Sequence, residues 1–430
     1  MDFKILHFYN IILIINPSNG RWISYKLDMN HDVNNRFNNM NDFKSKYTEL
    51  YNYIQLNYNK LNEKNFKNIR NLKYLILNIT SDCNMNCKYC YAKKFKKRTA
   101  MDSEIMIYTI NKILENNKSK ECLNVIFHGG EPLLEKNVIK KIINLYKNQN
   151  MNFIVQTNGK LLDEDFILFC KLNKVSLSLS VDGFKIYNNL SREMDENYLK
   201  NIIKNLEIMN NLDVNRGVIS IINKTNVKDM IYNADRLIDL GINKFTFNLI
   251  YQSNTIEDNS LPDIEVLIEE TKKLISHLFC LNNKQNYNIW GKYFERNIYA
   301  LWKKMFYLSD DYMCLNLPCG AGSEVITVDE YGKVYPCSVY IDSDNYITDI
   351  WNFDFSNKIK HNFRDIKKIE KCRVCEFNKF CVGGGCPGFI KDSTGSFYGE
   401  SFYCKYFYEI IKFLYFITLN SVDNKITKNF

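Results

Sequence analysis

Apolar and polar positions follow two different periods along this chain, and the two alternate through its middle. Short apolar runs stand at residues 74–79, 125–127, 153–156, 175–181, 214–222 and 245–250. Helical spacing fills the segments between them. Ile139, Ile142, Ile143 and Tyr146 fall at i, i+3, i+4 and i+7, while Ile202, Leu206 and Met209 fall at i, i+4 and i+7. Met230, Ala234 and Leu237 repeat that step. Strand runs alternating with helical periods predict βα units and a parallel sheet. The fold class is therefore α/β, a partial (β/α)6 barrel of the TIM type over residues 71–250 rather than a closed eight-fold one. Chemistry in such a barrel gathers on the loops that leave the C-terminal ends of the strands.

The flanks read differently. Residues 8–15, the turn Pro17-Ser18-Asn19-Gly20 and residues 21–27 predict a β-hairpin. With an Asn-rich stretch and a helix over 43–56 they make residues 1–70 a small N-terminal α+β module. Residues 251–313 read as a helical connector with its best helix at 264–281. Residues 314–404 are rich in Cys and Gly with few periodic runs, so ligands are expected to organise them. A closing helix at 407–419 lies in the C-terminal segment 405–430.

Composition adds limits. With 430 residues, 46% hydrophobic and 24% charged, the chain suits two or three packed domains and excludes disorder as its main state. No signal peptide is evident, and the longest apolar runs, 11–15 and 413–419, fall short of the ~18 residues of a membrane span. A cytoplasmic location without membrane partners is the resulting expectation. Disulfides are rare there, so the 14 Cys are expected to be ligands, nucleophiles or buried side chains. Cys122, Cys170 and Cys280 lie in strand or helix patterns and are expected in the core. The net charge of +9 bears on anion attraction rather than fold. Its densest run, residues 93–98, reads as a solvated loop. No basic face interleaved with aromatics argues for nucleic acid.

The sharpest signal follows the first strand: Cys83-Asn-Met-Asn-Cys87-Lys-Tyr-Cys90, a C-x3-C-x2-C loop. Three thiolates so spaced can take three corners of a cubane cluster and leave the fourth iron open, whereas structural clusters use four Cys. Zinc more often shows paired C-x2-C knuckles. Gly129-Gly130-Glu131-Pro132 follows the second strand, and Ser178-Leu-Ser180-Val-Asp182-Gly183 ends the fourth. Together these resemble the radical S-adenosylmethionine (SAM) superfamily. The resemblance implies a [4Fe-4S] cluster on Cys83, Cys87 and Cys90 whose open iron chelates SAM, and a 5′-deoxyadenosyl radical that takes hydrogen from substrate. It also implies cofactor contacts at Gly129, Gly130 and Glu131 near the SAM amino group, at Ser180 and Asp182 near ribose and carboxylate, at Arg192 near the carboxylate and at Tyr89 beside the adenine.

The C-terminal thiols resemble a SPASM domain, a twin-cluster extension of radical SAM enzymes that modify peptides and proteins. That likeness implies one auxiliary [4Fe-4S] cluster on Cys314, Cys319, Cys337 and Cys386, and another on Cys372, Cys375, Cys381 and Cys404. Without Cys314 the first would keep an open iron. One spacing departs from the family: Val382-Gly383-Gly384-Gly385 puts four residues between Cys381 and Cys386 where three are usual.

Sulfatase maturases of this kind typically place Asp after the Cys matching Cys337; this chain has Ser338, which does not serve as a base near neutral pH. The 82 residues before Cys83 are also long for that group and suit leader recognition. The reading is a peptide maturase acting on a ribosomally made precursor with a leader, reduced by flavodoxin or ferredoxin, with product a thioether, a carbon–carbon crosslink or an epimer. The alternatives are formylglycine formation on a sulfatase and a non-catalytic iron–sulfur or zinc protein. No catalytic acid or base is identified.

Overall fold

The computed structural model describes residues 3–27, 48–57, 72–92, 99–116, 121–251, 260–284, 291–341, 344–354, 364–422 and 426–428. The basic run 93–98 and residues 43–47 of the expected first helix lie outside them.

The N-terminal sheet comes first. Strands β1 (Lys4–Phe8), β2 (Ile11–Ile15) and β3 (Trp22–Lys26) pair antiparallel. The expected single strand 8–15 is broken by a turn at Tyr9, whose φ is +50°. The predicted turn forms, closed by Gly20 N–H to Asn16 O (2.9 Å) and by the Asn16 carboxamide accepting from Ser18 N–H (2.9 Å). Strand β2 is unbroken Ile and Leu because both of its faces are covered. Ile11, Leu13, Ile15 and Trp22 join the main core, while Ile12, Ile14, Ile23 and Tyr25 pack on Leu50 and Ile54 of the helix Thr48–Leu56. The Trp22 ring donates to Met305 O (2.8 Å) and meets Phe306 and Tyr415 edge-on, which fixes the sheet to the body of the protein.

The body is one ten-stranded sheet. Its six expected parallel strands are β4 (Tyr74–Thr80), β5 (Leu123–Gly129), β6 (Met151–Thr157), β7 (Ser176–Ser180), β8 (Arg216–Ile222) and β9 (Lys244–Leu249), in sequential spatial order. Four short strands extend it. β10 (Phe294–Glu295) adds parallel to β9, and β11 (Val325–Val328) adds parallel to β4. β12 (Lys333–Tyr335) and β13 (Thr348–Asp349) follow antiparallel. The connector and the Cys-rich segment are thus stitched into the barrel sheet. Alternation sorts its faces: Leu75, Leu77, Val125, Phe127, Phe153, Val155, Leu177 and Leu179 pack outward in the main core. Asn78, His128, Gln156, Ser178 and Ser180 lie on the opposite, inner face.

The helix Ile264–Lys284 matches the connector's expected helix, and a second one, Arg296–Tyr307, follows it. The closing helix, Cys404–Asn420, begins on an expected ligand, and β14 (Ile426–Lys428) then returns to pair with β3. Of the three thiols expected in the core, Cys170 is buried, Cys122 half-buried and Cys280 exposed at the end of its helix. No described helix is long and apolar enough to cross a membrane.

Candidate functional site

The three-cysteine loop leaves the C-terminal end of β4 and is clamped from the side by the Gly129-Gly130 pair. Gly130 N–H donates to Thr80 O (2.7 Å) and Glu131 N–H to Asp82 O (2.8 Å). A Cβ on Gly129 would stand 2.2 Å from Thr80 O, and one on Gly130 would stand 1.9 Å from Asp82 O. The glycines are required by the backbone of the cysteine loop itself, a closer cause than approach to a ligand. Gly130→Ala is accordingly expected to destabilise the chain by about 1–3 kcal/mol or more through overpacking. It should also lower the iron retained per chain after reconstitution, read by iron assay against wild type.

Glu131 is fully used within the protein. Its Oε1 accepts from Leu133 N–H (3.0 Å) and Thr157 Oγ1 (2.5 Å), and its Oε2 from Asn158 N–H (2.8 Å). Burial raises its pKa against those three donors. It braces the end of β6, where Asn158 reaches the cysteine loop. Asn158 Nδ2 donates to Asn84 Oδ1 (2.8 Å) and lies 4.0 Å from Cys83 Sγ. Tyr198 anchors the same residue, its hydroxyl donating to Asn158 O (2.7 Å), and Asp195 caps its helix by accepting from Tyr198 N–H (2.7 Å).

The loop after β7 supplies the charged half of the site. Asp182 is fully buried; its carboxylate accepts from Arg192 Nε (2.9 Å), Ile221 N–H (3.0 Å) and the Tyr89 hydroxyl. Asn189 and Asn226 hold its backbone from either side. The Arg192 guanidinium lies 5.5 Å over the Tyr89 ring. Tyr89, Asp182 and Arg192 therefore form one unit against the cysteine loop, with Asp182 and Arg192 turned toward each other. Ser180 closes β7 half-exposed on the inner face.

Cys83, Cys87 and Cys90 are half-buried and within Coulombic reach of one another. Burial pushes the Cys87 thiol up to about 11; Arg192 opposes the rise, and Cys90, Asp182 and Cys83 add to it. Three crowded thiols beside a buried cation suit a ligand that replaces their protons with positive charge.

The C-terminal thiols interact within two neighbourhoods. Cys314, exposed as a residue, feels Cys319, Cys337 and Cys386. In the second set Cys381 feels Cys375 and Cys372, and Cys375 feels Cys404 and Cys372. The extra glycine of the departing spacing has a local cause. Gly385 has φ +113°, and a Cβ there would stand 2.2 Å from the Tyr251 hydroxyl. That hydroxyl accepts from Cys386 N–H (3.4 Å). Among the described residues no three His, Cys, Asp or Glu side chains close around a single metal ion.

The first auxiliary set adjoins the cysteine loop. Tyr91, next to Cys90, hydrogen-bonds Ser338 and stands within Coulombic reach of Cys337 and Cys386. Its ring meets Phe389 edge-on at 5.8 Å, and Phe389 stacks on Tyr251 at 4.8 Å.

Residues 77–238 match the radical SAM superfamily. The protein is a radical SAM enzyme. The radical SAM chain is 26% identical over 387 residues to the cysteine-type anaerobic sulfatase-maturating enzyme of Clostridium novyi (strain NT), covering 79% of this chain and 95% of that enzyme. Its fold is similar to native anSMEcpe with bound AdoMet and Cp18Cys peptide (TM-score 0.69, 21% identity), covering 81% of this chain and 98% of that one. It is also similar to Streptococcus suis SuiB bound to precursor peptide SuiA (TM-score 0.60, 15% identity), covering 94% of this chain and 98% of that one. The superfamily fold implies a [4Fe-4S] cluster and SAM for this radical SAM enzyme.

Sequence reasoning passed over Asn158, Tyr198, Asn189 and Asn226, which hold the loop and Asp182 in place. Asn158 had one signal, its position directly after a barrel strand.

Proposed function

We propose that this radical SAM enzyme is a maturase of a ribosomally made peptide. Cys83, Cys87 and Cys90 hold the cluster to which SAM binds, and two closed auxiliary clusters sit on Cys314, Cys319, Cys337 and Cys386 and on Cys372, Cys375, Cys381 and Cys404. The bound cluster and SAM together supply a 5′-deoxyadenosyl radical for hydrogen abstraction from a peptide carbon. The chain's own residues orient and shield: Glu131 fixes the end of β6, Tyr89 walls the adenine side, and Arg192 offers its remaining guanidinium nitrogens to a carboxylate. Asn78, His128, Gln156 and Ser178 line the inner face for substrate. Burial lowers the His128 pKa to about 4, so its imidazole is neutral there, and its buried Nδ1 has no partner.

The observation that carries a peptide substrate over a sulfatase is Ser338. Its Oγ lies 3.9 Å from Cys337 Sγ and it hydrogen-bonds Tyr91, so no carboxylate stands where the resembled sulfatase maturases keep their base. The N-terminal sheet supports the reading. β14 occupies one edge, and among the described residues β1 is the other edge, where a leader can add as a strand. Sulfatase maturation remains the second reading, favoured by the 26% identity to the Clostridium novyi enzyme.

The deciding experiment incubates the reconstituted protein with SAM, dithionite and either candidate short peptides from open reading frames flanking its gene or a Cys-type sulfatase peptide. Release of 5′-deoxyadenosine with a mass change on the former is expected. Formylglycine on the latter overturns the proposal.

A further inference from the structure

Arg364 is a buried cation without an acidic partner. It is only 4% exposed, and it donates to Gly383 O (2.6 Å), Gly399 O (3.0 Å) and Phe397 O, all neutral carbonyls. Its Nε is buried with no hydrogen-bond partner, and no carboxylate pairs with it among the described residues. A buried, unpaired guanidinium costs several kcal/mol unless negative charge lies close by. The groups within its Coulombic reach are Cys372, Cys381 and Cys404, with Tyr251 beyond them. Lys371 and Glu400 also face Cys404, but they pair with each other at the surface. The glycine turn keeps Arg364 close: a Cβ on Gly383 would stand 2.8 Å from its Nε.

We propose that Arg364 is the counter-ion of the cluster held by Cys372, Cys375, Cys381 and Cys404, and that its charge helps set that cluster's reduction potential. This rests on the ligand set proposed above. Four thiolates around a [4Fe-4S] core leave a net negative charge that grows by one on reduction. A fixed cation in a desolvated site favours the more negative, reduced form and so raises the potential. Arg364 acts as a positioning and charge-balancing residue, since it touches neither substrate nor SAM.

The test is EPR-monitored potentiometry on fully reconstituted protein with dithionite as the electron source. Arg364→Gln should move the midpoint of this one cluster to a more negative value. Arg364→Lys keeps the charge but not the fork of donors, and should stay near wild type. The difference should persist at high salt, because a buried charge is little screened. An Arg364→Gln midpoint equal to wild type at full iron content overturns the proposal. So does a lysine variant whose midpoint falls well below wild type at full iron content, which would mark a purely structural role and decides the matter even where Arg364→Gln loses iron. The ligand set is checked separately by Cys372→Ala/Cys375→Ala: unchanged iron content would sink that assignment and leave the Arg364 measurement on the remaining clusters distinguishable from it.

Discussion

Replacing Cys83, Cys87 and Cys90 together by alanine should abolish release of 5′-deoxyadenosine while the chain keeps about eight irons, four for each closed cluster with its four cysteine ligands. On the proposed ligand assignment, loss of activity follows because SAM would bind through the iron those thiols leave open. Retention of iron follows from the fold. The thiols proposed as auxiliary ligands sit on the turns before β11 and after β12, in and beside the short helices Glu370–Val374 and Asn378–Cys381, and at the start of the closing helix, while the cysteine loop is clamped by Gly129, Gly130 and Asn158 of the barrel. The shared wall is Tyr91 against Ser338, and the substitution leaves both side chains in place. Iron assay, visible absorbance and chromatography of the SAM reaction read the result. Persistent 5′-deoxyadenosine would refute the assignment of the loop. A wild-type protein that carries zinc and never shows iron–sulfur absorbance would instead support a non-catalytic scaffold.

The barrel was legible because its strands are buried on the helix-facing side and bounded by helical periods, so the six runs mark six strands within a residue or two. The short strands β10–β13 carry no such signal; two to four residues added to the edge of an existing sheet are set by tertiary pairing. β14 was invisible for the same reason, since its partner β3 lies about four hundred residues away in the chain. The break at Tyr9 was missed because an apolar residue at positive φ reads as part of a strand. In the site, cysteine spacing was informative because three thiols within eight residues have few uses other than metal ligation. The Asn residues that hold the loop were not, because in an Asn-rich chain no local pattern marks which of them turn inward. Asp182 and Arg192 were both identified, yet their mutual pairing depends on the helical turn at 186–192 folding back beneath Tyr89, which no local pattern encodes.

That pairing carries the second large effect. Asp182 and Arg192 have side-chain exposures of 0% and 8%, so removing either one leaves a buried charge uncompensated, at about 3–5 kcal/mol. Asp182→Ala also strips the Tyr89 hydroxyl and Ile221 N–H of their acceptor, which places it at the upper end. Arg192→Met leaves the carboxylate two donors and belongs at the lower end. The double variant Asp182→Ala/Arg192→Met removes both charges and should be less destabilising than the sum of the singles, with a coupling of about 0.5–3 kcal/mol. Urea midpoints of the four proteins read the cycle, and strict additivity would show that the two charges do not compensate each other. On the proposed placement of the SAM carboxylate at Arg192, the same pair also bears on cofactor affinity. An arriving carboxylate must share Arg192 with Asp182, whose remaining two donors hold it in place while it does so. Asp182→Asn should therefore free Arg192 and raise affinity for SAM relative to Asp182→Ala, in which Tyr89 loses its anchor as well. Calorimetric titration of the reconstituted variants with SAM separates the two, and binding by the Asn variant no tighter than by the Ala variant would show that the Tyr89 anchor does not contribute to SAM affinity.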